Sequence, residues 1–455
     1  MSAPMDVDVP EHPLAKKLER AQDAQVTSPE EAIKLYKEII ASGTDTDTDT
    51  AMEGQDERPA AGGGGGNDTA EGVDTYKIQE QAIYALGELY VSKRRGDEVR
   101  NLMKEIRPFF ATLPKARTAK IVRTLIDNVT KIPGSEDLAI LVCKDCIAWC
   151  KDEKRTFLRL RVQKDLAGLY YQQERYQLGL SLINPLCKEV KKLDDKHLLV
   201  EIHLTESKLH FALQNVPKSK AALTAARTNA NGIHCPPLLQ AEIDLQAGVL
   251  HAQEKDYKTS FSYFYESFEA FNVADDPRAL TALKYQLLAK IMCNQAGEVN
   301  SLISAKSGLK YVGKETEALV AVAKCHEQRS LKMFERTLEE YKPQLENDPI
   351  VRRHITDLNE TLVEQNLLRI LEPFSRVEIE HVAKLIDLPL VRVQTKISEM
   401  ILDKKLHGTL DQGIGVLIVF DEPPLRKTYE DALASIKNMS EVVDTLYEKA
   451  QLLST

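Results

Sequence analysis

Long apolar runs are missing from this 455-residue chain. The clearest one, VLIVF at 416–420, is as long as a single strand, far short of the roughly 18 residues that cross a bilayer. The opening MSAPMDVDVPEHP is acidic and carries no apolar h-region, which argues against a secretory leader. There is no basic excess either: 60 Lys and Arg stand against 69 Asp and Glu, for a net charge of −9. A chain whose main work is gripping nucleic acid phosphates is disfavoured on that balance. Cysteine is sparse and odd in number, seven in all, which reads as free thiols in a reducing compartment, the cytoplasm or nucleus. Glycine is scarce, at 21 residues with five of them in one run, 62–66. Low glycine with abundant Leu, Ala, Glu and Lys points to helix. Apolar residues make up 43% and charged residues 28%, so a wholly disordered chain is excluded.

Catalytic and cofactor motifs are also missing. Neither His-Glu-x-x-His, His-x-His nor Gly-x-Ser-x-Gly occurs. The ten histidines are scattered; His203 and His210 share a helix face, with no acidic partner at metal spacing to complete a site. Cys143-Lys144-Asp145-Cys146 lies inside a helical run without a second pair for zinc. Cys143, Cys146 and Cys150 recur at i, i+3 and i+7, the spacing of one buried stripe, so core packing is expected. Asp45, Asp47 and Asp49 imitate the start of an EF-hand loop, but Thr50 replaces its glycine and Asp56 its final glutamate. The glycines at 62–66 lack the Lys-Ser/Thr of a phosphate loop. No enzyme, metal, cofactor or small-molecule substrate is expected.

What remains is organisation. After a disordered N-terminus, 1–13, residues 14–41 read as a helix pair. In its second helix Ser28-Pro29-Glu30-Glu31 supplies a cap, a proline at the first position and a glutamate at the third. Residues 42–75 hold almost no large apolar side chain and read as a disordered low-complexity insertion. From 76 to about 330 a small residue precedes the turn into the next helix by nine residues. Ala167 leads to Tyr176, Ser207 to Val216, Gly248 to Tyr257 and Ala289 to Glu298; these starts fall roughly 40 apart, and Gly87 fits two repeats earlier. A small residue suits the close approach of two helices in a hairpin. The pattern is that of tetratricopeptide-like hairpins longer than the standard repeat. Beyond Pro373 a helix capped by Ser375 carries Val377, Ile379, Val382, Leu385 and Ile386 on its apolar face. Another helix covers about 390–405, and two strands, LHGTLDQ and VLIVF, flank Gly413-Ile414-Gly415. Helices followed by a hairpin give the order of a winged helix.

Two surfaces stand out. Between 84 and 131 eleven Lys and Arg face five acids, a surplus of six positive charges in an acidic chain. Lys93, Arg94, Arg95, Arg100, Lys104 and Arg107 form its densest part. They make either a solvated face or an electrostatic docking face for an acidic protein surface. At the other end Tyr429, Ala432, Ile436, Met439, Val443, Leu446, Ala450 and Leu453 alternate three and four apart, a narrow a/d seam on a polar helix. The third helix of the winged helix carries Arg392, Lys396, Lys404 and Lys405, but also Glu399 and Asp403. That mixture favours protein docking over a major-groove reader.

The stretches VEQNLLRILEPFSRVEIEHVAKLI and MILDKKLHGTLDQGIGVLIVFDEPP resemble the PCI module. With CPPLLQAEIDLQAGVLHAQEKDYKTSFSYFYESFEAF, NQAGEVNSLISAKSGLKYVG and KTYEDALASIKNMSEVVDTLYEKA, the chain is similar to the non-ATPase regulatory subunit 11 family of the 26S proteasome lid over roughly 76–455. The resemblance implies an all-α fold: a right-handed α-solenoid of tetratricopeptide-like hairpins over 76–254, a PCI domain over 255–424 (helical to 363, winged helix from 364), and a bundling helix over 425–455. It further implies a non-catalytic scaffold that joins other lid subunits through the PCI module and a helical bundle. Its N-terminal solenoid would reach the ATPase ring and the outer ring of the core particle. A signalosome subunit of the same architecture and a nucleic-acid-binding PCI protein are the alternatives.

Overall fold

The computed structural model describes residues 13–41, 70–346, 348–386, 388–420 and 427–454. The N-terminal stretch and most of the expected insertion lie outside them. The fold is all-α apart from one small sheet. Two compact units divide the chain: residues 1–255 with 269–274, and 256–268 with 275–455.

The first unit begins with α1 (Pro13–Thr27), α2 (Pro29–Ala41) and α3 (Ala70–Ser92), the last starting inside the stretch expected to be unstructured. There follow α4 (Gly96–Glu105), α5 (Phe109–Thr112), α6 (Lys115–Thr130), α7 (Glu136–Asp152) and α8 (Thr156–Gln172). Next come α9 (Tyr176–Leu193), α10 (Lys196–Ala212), α11 (Val216–Asn231) and α12 (Pro237–Gln253). From α6 to α12 neighbours in sequence pack on each other, and α8 and α12 also touch α10, the stacking of a helical solenoid. At the α2 cap the Ser28 hydroxyl donates to the Glu31 carboxylate at 2.8 Å.

The turns share one device. Arg94, Lys154, Glu174, Asp194, Gln214, Lys255, Asp275 and Asn294 all have φ between 53° and 65°, the left-handed region, and none is glycine. Several fall twenty residues apart, two per hairpin. At several of them the next residue closes the helix with a six-to-one bond: Arg155 to the Cys150 carbonyl, Arg175 to Tyr170, Asn215 to His210, each 2.9 Å. The small residue expected before each turn sits seven positions ahead of the left-handed residue at Gly87, Ala167, Ser207 and Gly248. At Ala289 the register slips by two, because the turn falls at Asn294. Close approach is real where the pattern holds: a Cβ on Gly87 would meet Leu125 at 3.0 Å and Asn128 at 3.2 Å. At Ser207 the hydroxyl lies 3.0 Å from that of Ser219, which donates to the Ser207 carbonyl at 2.8 Å.

In the second unit α13 (Tyr257–Val273), shared between the units, precedes α14 (Arg278–Met292), α15 (Val299–Ser304), α16 (Lys306–Leu309), α17 (Lys314–Glu327), α18 (Leu331–Glu340), α19 (Lys342–Glu346) and the long α20 (Pro349–Leu371). Then come β1 (Arg376–Glu378), α21 (Ile379–Ile386), α22 (Leu390–Leu402), β2 (Gly408–Asp411), β3 (Val416–Val419) and α23 (Lys427–Ser454). The strands pair antiparallel in the order β1-β3-β2, with Val377 and Leu410 both opposite Leu417. Val377 thus belongs to a strand rather than to the face of α21, and Leu385 is exposed; Ile379, Val382, Ala383 and Ile386 are the residues α21 buries. Gly408 is required where it stands, since a Cβ there would lie 2.5 Å from the Ile418 carbonyl oxygen. The hairpin closes at Gly415, φ +72°, with the Asp411 carboxylate accepting from the amides of Gly413 and Ile414. No helix among the described residues is long and apolar enough to cross a membrane.

Candidate functional site

Helix α23 is exposed at every described position from Thr428 to Gln451. Tyr429, Ile436, Met439, Val443 and Leu446 of the expected seam are each at least 60% exposed, and Ala432 and Ala450 are open beside them. The side chain of Leu453 lies outside the described part. Leu433, Val442 and Tyr447, missed as members of the seam, are exposed too. At about 100° per residue, Leu433 and Tyr447 fall on one edge of the stripe and Val442 on the other. The apolar face therefore covers roughly half the helix, broader than a strict a/d seam. Such a face is the chemistry of a helix that buries itself against other helices.

The basic stretch is partly spent within the chain. Arg95 pairs with Glu98 at 3.1 Å and reaches Glu30 of α2 at 3.8 Å. Arg100 on α4 meets Asp145 on α7 at 2.8 Å, and Lys104 lies 3.9 Å from the same carboxylate. Lys93, Arg94 and Arg107 pair with no carboxylate among the described residues. Arg94 occupies a left-handed turn, and Arg107 lines a groove with Phe110, Cys146 and Trp149.

Two of the four cations on α22 and the turn after it are tied to carboxylates, while Arg392 and Lys404 are exposed. Lys396 contacts Glu364 and Glu399 at 3.1 Å and Glu360 at 3.6 Å, and Lys405 contacts Glu364 at 2.6 Å. Burial opposes the Glu364 charge, but the hydrogen bonds from Lys405 and Lys396 outweigh it and hold the carboxyl below its ordinary value. These side chains fasten α22 and its following turn to α20, so they are not free for phosphates.

Cys143, Cys146 and Cys150 lie buried in the core of the first unit. Burial pushes the Cys143 thiol up to about 12, which leaves it protonated and inert at neutral pH. His203 does have the acidic partner that sequence spacing did not reveal. Its Nδ1 lies 2.9 Å from the Glu206 carboxylate, and its Nε2 lies 3.6 Å from the Cys187 sulfur, sixteen residues away on α9.

Three family models match the chain in order. Residues 65–173 match the 26S proteasome regulatory subunit RPN6 N-terminal domain, 338–421 the PCI domain, and 427–451 the 26S proteasome subunit RPN6 C-terminal helix domain. Among curated proteins, the 26S proteasome non-ATPase regulatory subunit 11 homolog of Arabidopsis thaliana is 55% identical over 383 residues, 84% of this chain and 91% of that one. The probable 26S proteasome regulatory subunit rpn6 of Schizosaccharomyces pombe is 48% identical over 92% of this chain and 94% of its own length. The 26S proteasome regulatory subunit RPN6 of Saccharomyces cerevisiae is 43% identical over 82% and 88%. A solenoid, a PCI winged helix and an exposed apolar C-terminal helix, matched in order and nearly end to end by these relatives, place the chain in the RPN6, or non-ATPase regulatory subunit 11, family of 26S proteasome regulatory subunits.

Proposed function

We propose that the chain is a non-catalytic scaffold subunit of the proteasome lid, needed for lid assembly and for holding the regulatory particle on the core protease. The observation that carries this reading is the apolar half of α23, exposed along its whole described length. A 28-residue helix in that state needs partners, and helices of other lid subunits, bundled with it, would cover the face. The PCI module supplies contacts to neighbouring lid subunits. The N-terminal solenoid, with Arg94 and Arg107 uncommitted, is the part we assign to the ATPase ring and the outer ring of the core particle. Cytoplasm and nucleus are the expected locations. A nucleic-acid role is weakened by the inward pairing of Lys396 and Lys405 with Glu364.

The test is co-purification. A tagged full-length chain should bring down the other lid subunits, and the chain ending at 426 should not. Recovery of the complete lid with the truncated chain would overturn the bundling role. Recovery of signalosome subunits instead would overturn the proteasome assignment.

A further inference from the structure

Cys187, His203 and Glu206 form a chain of groups outside the docking surfaces proposed above. Cys187 and His203 are 8% and 4% exposed, one on α9 and the other on α10, while Glu206 is half-buried at the edge. One donor atom from each residue lies within 4.8 Å of both others. Tetrahedral zinc, bonded to sulfur at ~2.3 Å and to nitrogen at ~2.1 Å, sets those two atoms about 3.5 Å apart. The Cys187 sulfur and His203 Nε2 stand at 3.6 Å. A thiol, an imidazole and a carboxylate on adjacent helices also make the wrong set for calcium or magnesium, which take oxygen ligands.

We propose that Cys187, His203 and Glu206 bind a zinc ion that staples α9 to α10. Either Glu206 ligates directly or it holds the imidazole through Nδ1 in the manner of a carboxylate–histidine–zinc group. Binding displaces the thiol proton to solvent. Zn²⁺ is then balanced by one thiolate and one carboxylate around a neutral imidazole, a set that buries no net charge; water takes the fourth position where Glu206 ligates, and the third and fourth where Glu206 stays on Nδ1. Lys191 stands beside both Cys187 and Glu206, and its ammonium opposes any cation bound there. His210, close to Glu206, is held below its ordinary value by burial and adds no charge at neutral pH. A metal that bonds thiolate strongly overcomes Lys191; a hard cation does not. The same triad order suits a hydrolytic nucleophile, but burial raises the Cys187 thiol and removes the thiolate such chemistry needs.

Cobalt reports the site. The reduced, metal-free full chain titrated with Co²⁺ should gain one thiolate-to-metal charge-transfer band in the near ultraviolet, saturating at one ion per chain and removed by Zn²⁺. Cys187→Ser should lose the band, and the double change Cys146→Ser and Cys150→Ser should keep it. Zinc should raise the thermal midpoint of the unmodified chain and leave that of Cys187→Ser unmoved. Should Cys187→Ser fail to fold, Glu206→Gln replaces it and should weaken binding about tenfold or more. No band in the unmodified chain, a band that survives Cys187→Ser or Glu206→Gln undiminished, or a band lost with Cys146 and Cys150 overturns the site.

Discussion

Arg100 reaches across from α4 to hold Asp145 of α7 at 2.8 Å, so a residue expected on a docking face also joins two helices of the solenoid. Reversing Arg100 therefore mixes two effects. Arg100→Glu should lower stability by about 1 kcal/mol through repulsion of Asp145, seen in the thermal melt. Asp145→Lys on that background should restore the melt. The fourfold reversal of Arg94, Arg95, Arg100 and Lys104 to Glu, made with Asp145→Lys, should still weaken attachment of the lid-bearing particle to the core protease, more strongly at low salt. Unchanged attachment would remove the basic stretch from the docking surface.

Removing 427–455 should leave the melt of the isolated chain unmoved, because α23 buries none of its described face. Val443→Asp with Leu446→Asp should act the same way on the melt. Both should fail to assemble on a native gel, since a charge placed in that seam finds no partner once helices close over it. A melt that drops in parallel would show that the helix packs on its own chain.

Stability should fall in mild acid. His326 and His354 are buried in the second unit, and burial holds each imidazole below its ordinary 6.5. The unfolded chain takes up those protons near pH 6.5, while the folded chain does not until lower pH. The contribution is whole above 6.5 and is lost as pH falls through the folded values. The thermal midpoint should be lower at pH 5.5 than at 7.0, and His326→Gln with His354→Gln should flatten that slope. Glu364, held below 4.5, adds a loss of the same sign at lower pH.

Glycine should improve the turns. Glu174 and Gln214 sit at φ 60°, where an L-residue costs about 1–2 kcal/mol. Glu174→Gly or Gln214→Gly should raise stability by roughly 0.5–1 kcal/mol, after the added freedom of the unfolded chain is subtracted. Valine at either site should lower it by at least about 1 kcal/mol. Chemical denaturation of the single variants measures both.

The hairpin array was legible because sterics write it into single residues: Gly87 and Ser207 are small where helices nearly touch. Ala289 misled because the turn two residues early left no mark beyond an asparagine in the left-handed region. Val377 was misplaced since β1 runs straight into α21, and Val377, Ile379, Val382 and Ile386 keep apolar spacing across the junction. The breadth of the α23 face was readable from Leu433, Val442 and Tyr447 once turned on a helical wheel. The pairing of Cys187 with His203 was not, because it exists only when α9 folds back on α10. The inward turn of Lys396 was hidden for the same reason: Glu364 lies a whole domain element away in sequence.

The bare apolar helix at the C-terminus also sets a rule for abundance. A copy made in excess of its partners displays Ile436, Met439, Val443 and Leu446 to the solvent, the surface that chaperones and proteases use to sort chains. In the proposed bundle an assembled copy would hide it. Supply of the partners, rather than synthesis of this chain, would then govern how much of it persists, and an orphan would be marked for removal by the same residues that would have brought it home.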